Sequence, residues 1–190
     1  MITKPPKSPK LAPGLKLLSF DLEANGLHGE AFAIGAIVLD TATGEIIDKF
    51  TARCPLEGDV DEWVNENVLP AIKDMPVNCT DQRAMRQAFW EWYLQAEAKS
   101  DYVLVSNGYP VEYRFLLQCQ EDNLKTRYWQ HPFPLLDLAS ILLASGYDTA
   151  AKNKLTARIV QERQLARHNP LADATIAALS ASEALGLSKK

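Results

Sequence analysis

Apolar residues fall along this chain in two rhythms. Up to residue 53 they come in dense runs of strand length, over Lys16–Glu23, Ala31–Asp40 and Gly44–Arg53. Ile, Val, Leu and Phe fill the second run, and Asp40-Thr41-Ala42-Thr43-Gly44 reads as a hairpin-type turn into the third. After Pro55 the spacing lengthens to that of helices, over Val60–Ile72 and Thr80–Lys99. In the second of these Ala84, Ala88, Phe89, Trp92 and Ala96 mark an apolar stripe. Trp90, Trp92 and Tyr93 there read as packing rather than as a base-stacking surface. Further strands are expected at Tyr102–Ser106 and Phe133–Leu136. Further helices are expected at Pro110–Gln120, Asp137–Ala144 and Asn169–Leu185. Asn169 suits the N-cap of the last, and Pro170 its first helical position. Three antiparallel-type strands followed by alternating helix and strand predict an α/β fold. It is a mixed five-stranded sheet with helices on both faces.

The 190 residues suit one domain, expected over 15–190, able to bury roughly 70% of its unfolded surface. Pro5, Pro6, Pro9 and Pro13 with Lys4, Lys7 and Lys10 make residues 1–14 an extended tail. With 20 basic and 24 acidic residues the net charge is −4, which argues against indiscriminate coating of nucleic acid but not against a local grip on one strand end. Cys54, Cys79 and Cys119 are odd in number and widely spaced. They suggest neither a metal site nor a disulfide framework, and so a reducing, cytoplasmic setting. The apolar run from Ala31 to Leu39 is too short to span a membrane.

Chemistry concentrates in three patches. Asp21 and Glu23 stand at i and i+2 near the end of the first strand, so both point to one face. Two like charges there are costly unless something offsets them, and a divalent cation is the simplest remedy. Glu112 follows the fourth strand, and His168 with Asp173 flanks the start of the last helix. Taken alone, Glu112 or Asp173 reads as an acid complementing a helix dipole.

Taken in order, the patches resemble the DEDD-type 3′–5′ exonucleases of the RNase H-like fold, in the variant with a histidine in the third motif. Asp21-Leu22-Glu23 matches the first motif, with Gly26-Leu27 following. His168, four residues, then Asp173 matches the third. The second normally ends in Asp; here Glu112 stands in that place, followed by Arg114-Phe115-Leu116, which resembles oligoribonuclease. Leu135-Leu136-Asp137-Leu138 is similar to a family segment in which the Asp is structural. The resemblance implies two divalent ions, Mg²⁺ or Mn²⁺, held by Asp21, Glu23, Glu112 and Asp173. It makes His168 the proton acceptor and Ala24 and Leu27 the lining of the terminal-nucleotide pocket. The implied substrate is a single-stranded nucleic acid or short oligonucleotide. Relatives of this kind often act as homodimers, so a homodimer is an expectation here. The segment Lys152–Arg167 carries Lys152, Lys154, Arg158, Arg163 and Arg167 against Glu162, which points to phosphate contacts, with Arg163 and Arg167 nearest His168 in sequence. Glu112, one methylene longer than Asp, leaves a second reading open: a catalytically weak or inactive nucleic-acid-binding module on the same fold.

Overall fold

The computed structural model describes residues 14–149 and 154–187. Residues 1–13 of the expected tail, and Lys152 of the basic segment, lie outside them. Strand β1 (Lys16–Ala24) runs antiparallel to β2 (Ala31–Asp40), which pairs antiparallel with β3 (Glu45–Arg53). On its other side β1 pairs parallel with β4 (Tyr102–Val105), and β4 parallel with β5 (Leu135–Asp137). The sheet order is β3-β2-β1-β4-β5, the mixed five-stranded sheet expected. The carboxyl ends of β1, β4 and β5 therefore share one end of the sheet, where ligands bind in open α/β sheets.

Alternation along β1 divides the core. Leu18, Phe20 and Leu22 face α2 (Gln82–Glu97) and α3 (Tyr113–Glu121), packing in one cluster with Met85, Phe89, Trp90, Tyr93 and Phe115. Leu17 faces the other way. It joins Leu104, Leu138 and Leu142 of α5 (Leu138–Ala144), Leu155 and Ile159 of α6 (Lys154–Arg163), and Ala177 and Ala181 of α7 (Pro170–Ala184). Period two then assigns Ser19, Asp21 and Glu23 to the α7 side. Helix α7 is built of small residues and buried on most sides, because the sheet covers one face and α5 and α6 another.

Several expected elements are shorter or displaced. The first helix is regular only over Glu62–Asn67 (α1), capped by Asp61, whose carboxylate accepts from the N–H groups of Trp63 and Val64. Pro70 ends it, since proline has no N–H to give and disfavours helical backbone at Leu69 before it. In α2 the buried stripe is Met85, Phe89, Trp90, Tyr93 and Ala96. Ala84, Ala88 and Trp92 are only half-buried; Trp92 lies at the border of the core, stacked on Phe50 and donating to Asp48 Oδ1 at 3.2 Å. The helix expected from Pro110 begins at Tyr113, after a wide turn over Gly108–Glu112. Tyr109 there is extended, as a residue before proline prefers. Strand β5 starts two residues later than expected, because Pro134 cannot donate to a ladder. A short α4 (Leu124–Arg127) links α3 towards β5.

Candidate active site

Each acid arrives at the site for a local reason. Asp21 and Glu23 lie beyond the last β1–β4 pair, Phe20 with Val105, so that side of the strand end is open. Glu112 enters that opening from the turn after β4. It is buried, with the backbone N–H groups of Leu22 and of Glu112 itself near enough to favour its charged form. Asp173 lies in the first turn of α7, whose start Asn169 caps by accepting from the Ala172 N–H at 3.2 Å.

Gly35 determines how close α7 comes. It pairs with Asp21 across β1 and β2, and a Cβ added there would lie 2.1 Å from the Leu171 nitrogen. The first turn of α7 therefore rests on bare strand backbone beside Asp21. No side chain larger than hydrogen fits between them.

His168 is held from two directions. Its backbone has φ +61°, the left-handed region that costs a non-glycine residue energy and recurs at functional sites. Its N–H donates to Asp173 Oδ2 at 2.7 Å, which offsets that cost. Its ring and the Trp63 indole meet edge to face, centroids 5.0 Å apart and planes at 90°. Helix α1, which carries Trp63, is tied to the loop after β1: the Asp61 N–H donates to Asn25 Oδ1, and the Asn25 side chain donates to the Asp59 carbonyl. One ligand atom each from Glu23, His168 and Asp173 lies within 4.8 Å of the other two.

The electrostatics match this crowding. Burial first, then the charges of Glu112, Asp173 and Glu23, holds the Asp21 carboxyl well above the usual carboxylate range. Burial, then Asp173 and Glu112, pushes Glu23 up to about 8. Burial raises Glu112 to about 7, with Asp137 adding and the two backbone N–H bonds opposing. Burial also raises Asp173, against the His168 N–H, the His168 and Arg167 charges and the Asn169 N–H. Among the described residues no basic side chain forms an ion pair with Asp21, Glu23 or Glu112. Four carboxylates and an imidazole short of countercharge are a donor set that fits a hard, oxygen-seeking divalent cation such as Mg²⁺ or Mn²⁺.

The remaining sequence candidates separate. Ala24 ends β1, and Leu27 projects from the loop beyond with 65% exposure, so packing does not occupy it. Arg114 braces this loop by donating to the Leu27 and Gly29 carbonyls. Arg167 borders a cavity together with Asp173. Arg163 does not come near the acids. It lines a groove with Thr41 and Gly44 at the hairpin end of the sheet. That end lies five residues back along β1 from Asp21 (Lys16 pairs with Asp40), or about 17 Å. The segment after α6 carries the chain back from there to His168, so closeness in sequence misled. Arg158 is engaged with Glu162 at 3.1 Å and with Glu183, the ordinary use of a charged helix face. Asp137 is structural: it caps α5 and accepts the Gly108 N–H at 3.0 Å.

Two residues escaped the sequence reading. Gly35, inside an otherwise bulky apolar strand, carried a signal, since such a glycine often marks close backbone approach. Trp63 carried none, because its partner is over a hundred residues away in sequence.

No family model matches the sequence, and a search of curated proteins finds no match. Solved structures do match. The nuclease domain of 3′hExo, a DEDDh family member, bound to rAMP, aligns at 17% identity and TM-score 0.50, over 88% of this chain and 90% of that one. A 3′-exonuclease in specific recognition of the 3′ end of the histone mRNA stem-loop aligns at 15% identity and TM-score 0.51, over 91% of this chain. A full-length 3′-exonuclease aligns at 14% identity and TM-score 0.50, over 90% of this chain. The fold is that of a DEDDh nuclease domain. The chain spans 64% and 60% of the two longer structures. No helix among the described residues is long and apolar enough to cross a membrane, and all three cysteines are free.

Proposed function

We propose that this protein is a metal-dependent 3′–5′ exonuclease of the DEDDh type, formed by one domain over residues 15–190. Its substrate is a single-stranded RNA or DNA, or a short oligonucleotide, and its product a nucleoside 5′-monophosphate. The observation that carries this reading is the convergence of one ligand atom each from Glu23, His168 and Asp173 within 4.8 Å, beside a buried Asp21 whose pKa is raised by the charges of Glu112, Asp173 and Glu23. That convergence occurs on a fold shared with DEDDh nuclease domains.

Asp21, Glu23, Glu112 and Asp173 would hold two divalent ions, Mg²⁺ or Mn²⁺. When bound, the ions neutralise the carboxylates and the scissile phosphate and make a water acidic enough to attack near neutral pH. His168 takes that water's proton, as a histidine within reach of the attacking water does when it serves as general base. Trp63 and the Asp173 bond keep the imidazole aimed. Ala24 and Leu27 receive the terminal nucleotide, the exposed Leu27 side chain resting against its base. Arg167 contacts phosphate. Arg163 has no part in this reading.

End-labelled RNA and DNA strands incubated with Mg²⁺ or Mn²⁺ and resolved by length test it. Stepwise shortening from the 3′ end, abolished by chelation, is expected; shortening from the 5′ end overturns the proposal. A second reading, a binding module, draws on Glu112, one methylene longer than the Asp usual in the second motif and therefore able to hold a second ion out of place. Calorimetry with Mn²⁺ separates the two: two bound ions favour the enzyme, none the module. The expected homodimer and cytoplasmic setting stay part of the proposal, the first checked by sedimentation.

A further inference from the structure

The loop between β1 and β2 carries Leu27, whose side chain is so exposed that packing does little to place it. Its position is left to the backbone. The loop is tied to itself by the N–H groups of Asn25, Gly26 and Gly29, which donate to the carbonyls of Glu30, Ala24 and Gly26. The Leu27 carbonyl takes no backbone N–H among the described residues. It accepts from Arg114 Nη1 at 3.4 Å, while Arg114 Nη2 donates to the Gly29 carbonyl. A planar guanidinium that grips two carbonyls fixes the peptide units between them, as a single ammonium does not.

Arg114 has a firm base for this grip. It lies in the first turn of α3, two residues after the buried Glu112 and next to the buried Phe115 and Leu116. One turn further along the same face, Gln118 donates to Glu30 Oε1 at 2.9 Å, so the loop stays docked on α3 when Arg114 is removed. An arginine beside a phosphodiester site invites assignment to phosphate, but each terminal nitrogen of this one already donates to a carbonyl.

We infer that Arg114 is a positioning residue, which sets Leu27 relative to the turn carrying Glu112 and so fits the terminal nucleotide to the carboxylates. This role rests on the exonuclease reading above and deepens it. The effect of Arg114 passes through the Leu27 backbone, so the two residues act as one unit. A contact between Leu27 and a base, away from the reacting phosphorus, is the same in the ground and transition states. Losing it raises KM and spares kcat.

The test is hydrolysis of a short oligonucleotide with Mn²⁺ by Leu27→Ala, Arg114→Ala and the double variant. Each single variant should raise KM about tenfold, as for losing the partial burial of one leucine, with kcat within about threefold. The double variant should be no worse than Arg114→Ala, because Leu27 is already out of place there. Without substrate or metal, amide hydrogen exchange over residues 25–30 should quicken roughly tenfold in Arg114→Ala and stay unchanged in Leu27→Ala. Effects that multiply to about a hundredfold in the double variant overturn the inference. So does a KM that either single substitution leaves unchanged, or exchange that Arg114→Ala leaves unchanged. A fall in kcat alone in Arg114→Ala also overturns it, since the arginine would then act on Glu112. All of these leave the exonuclease reading intact; failure of the unmodified protein to hydrolyse the strand overturns both.

Discussion

Asp122 and Asp21 are both acids drawn partly into the fold, and the protein treats them in opposite ways. Asp122, after α3, accepts from Arg86 Nε at 2.6 Å and Nη2 at 3.0 Å. The forked, hydrogen-bonded pair raises the Arg86 pKa, as a matched partner should. Asp21 sits among Glu23, Glu112 and Asp173, and every one of these neighbours raises its pKa. A chain that can build the first arrangement has withheld it at the second. Withheld compensation is what the proposed metal site requires, and what an acid serving only the fold does not.

The sharpest test exchanges the two. Asp21→Ala should lower metal-dependent hydrolysis by roughly 10³-fold or more, while the melting temperature without metal holds or rises because repulsion is relieved. Asp122→Ala should keep hydrolysis and cost about 1–3 kcal/mol of stability, since it leaves Arg86 only its looser ion pair with Glu30 at 3.8 Å. Loss of activity with Asp122 and retention with Asp21 would invert the comparison. A smaller effect comes from Gly35→Ala. Its Cβ must push the first turn of α7 outwards, and a shift of about 1 Å in Asp173 costs on the order of 10² in rate. A crystal structure of that variant with α7 unmoved would break the argument.

The mildest test is pH. Glu23 and Glu112 have folded pKa values of about 8 and about 7, above the ordinary 4.5. Between those limits the folded state binds more protons than the unfolded one, so stability falls as pH rises. The metal-free protein should lose about 5–10 °C in melting temperature from pH 5 to pH 8. Mn²⁺ should restore more at pH 8 than at pH 5, where protons compete for the same oxygens. A flat profile would mean that the acids are compensated in some other way.

How much of this was legible depended on whether the cause was local. Strand β2 lies where its apolar run predicts, and Asn169 with Pro170 starts α7 as capping rules require. The pairing of Asp21 with Glu23 followed from strand alternation alone. Glu112 and Asp173 carried no such signal, since each reads locally as a helix-dipole acid; their order along the chain and its resemblance to a family linked them. Arg163 was misread because sequence distance from His168 says nothing about a chain that runs down α6 and returns. Trp63 was invisible for the same reason in reverse: α1 and the start of α7 meet only in three dimensions.

The glycine contact between β2 and α7 has one more consequence. The gap between the strand-borne and helix-borne halves of the acid cluster is gauged by peptide planes, not by rotamers. Rotamer hopping, which loosens most side-chain contacts, has nothing to act on there. The separation is thus a property of the covalent skeleton, as stiff as the sheet beneath it.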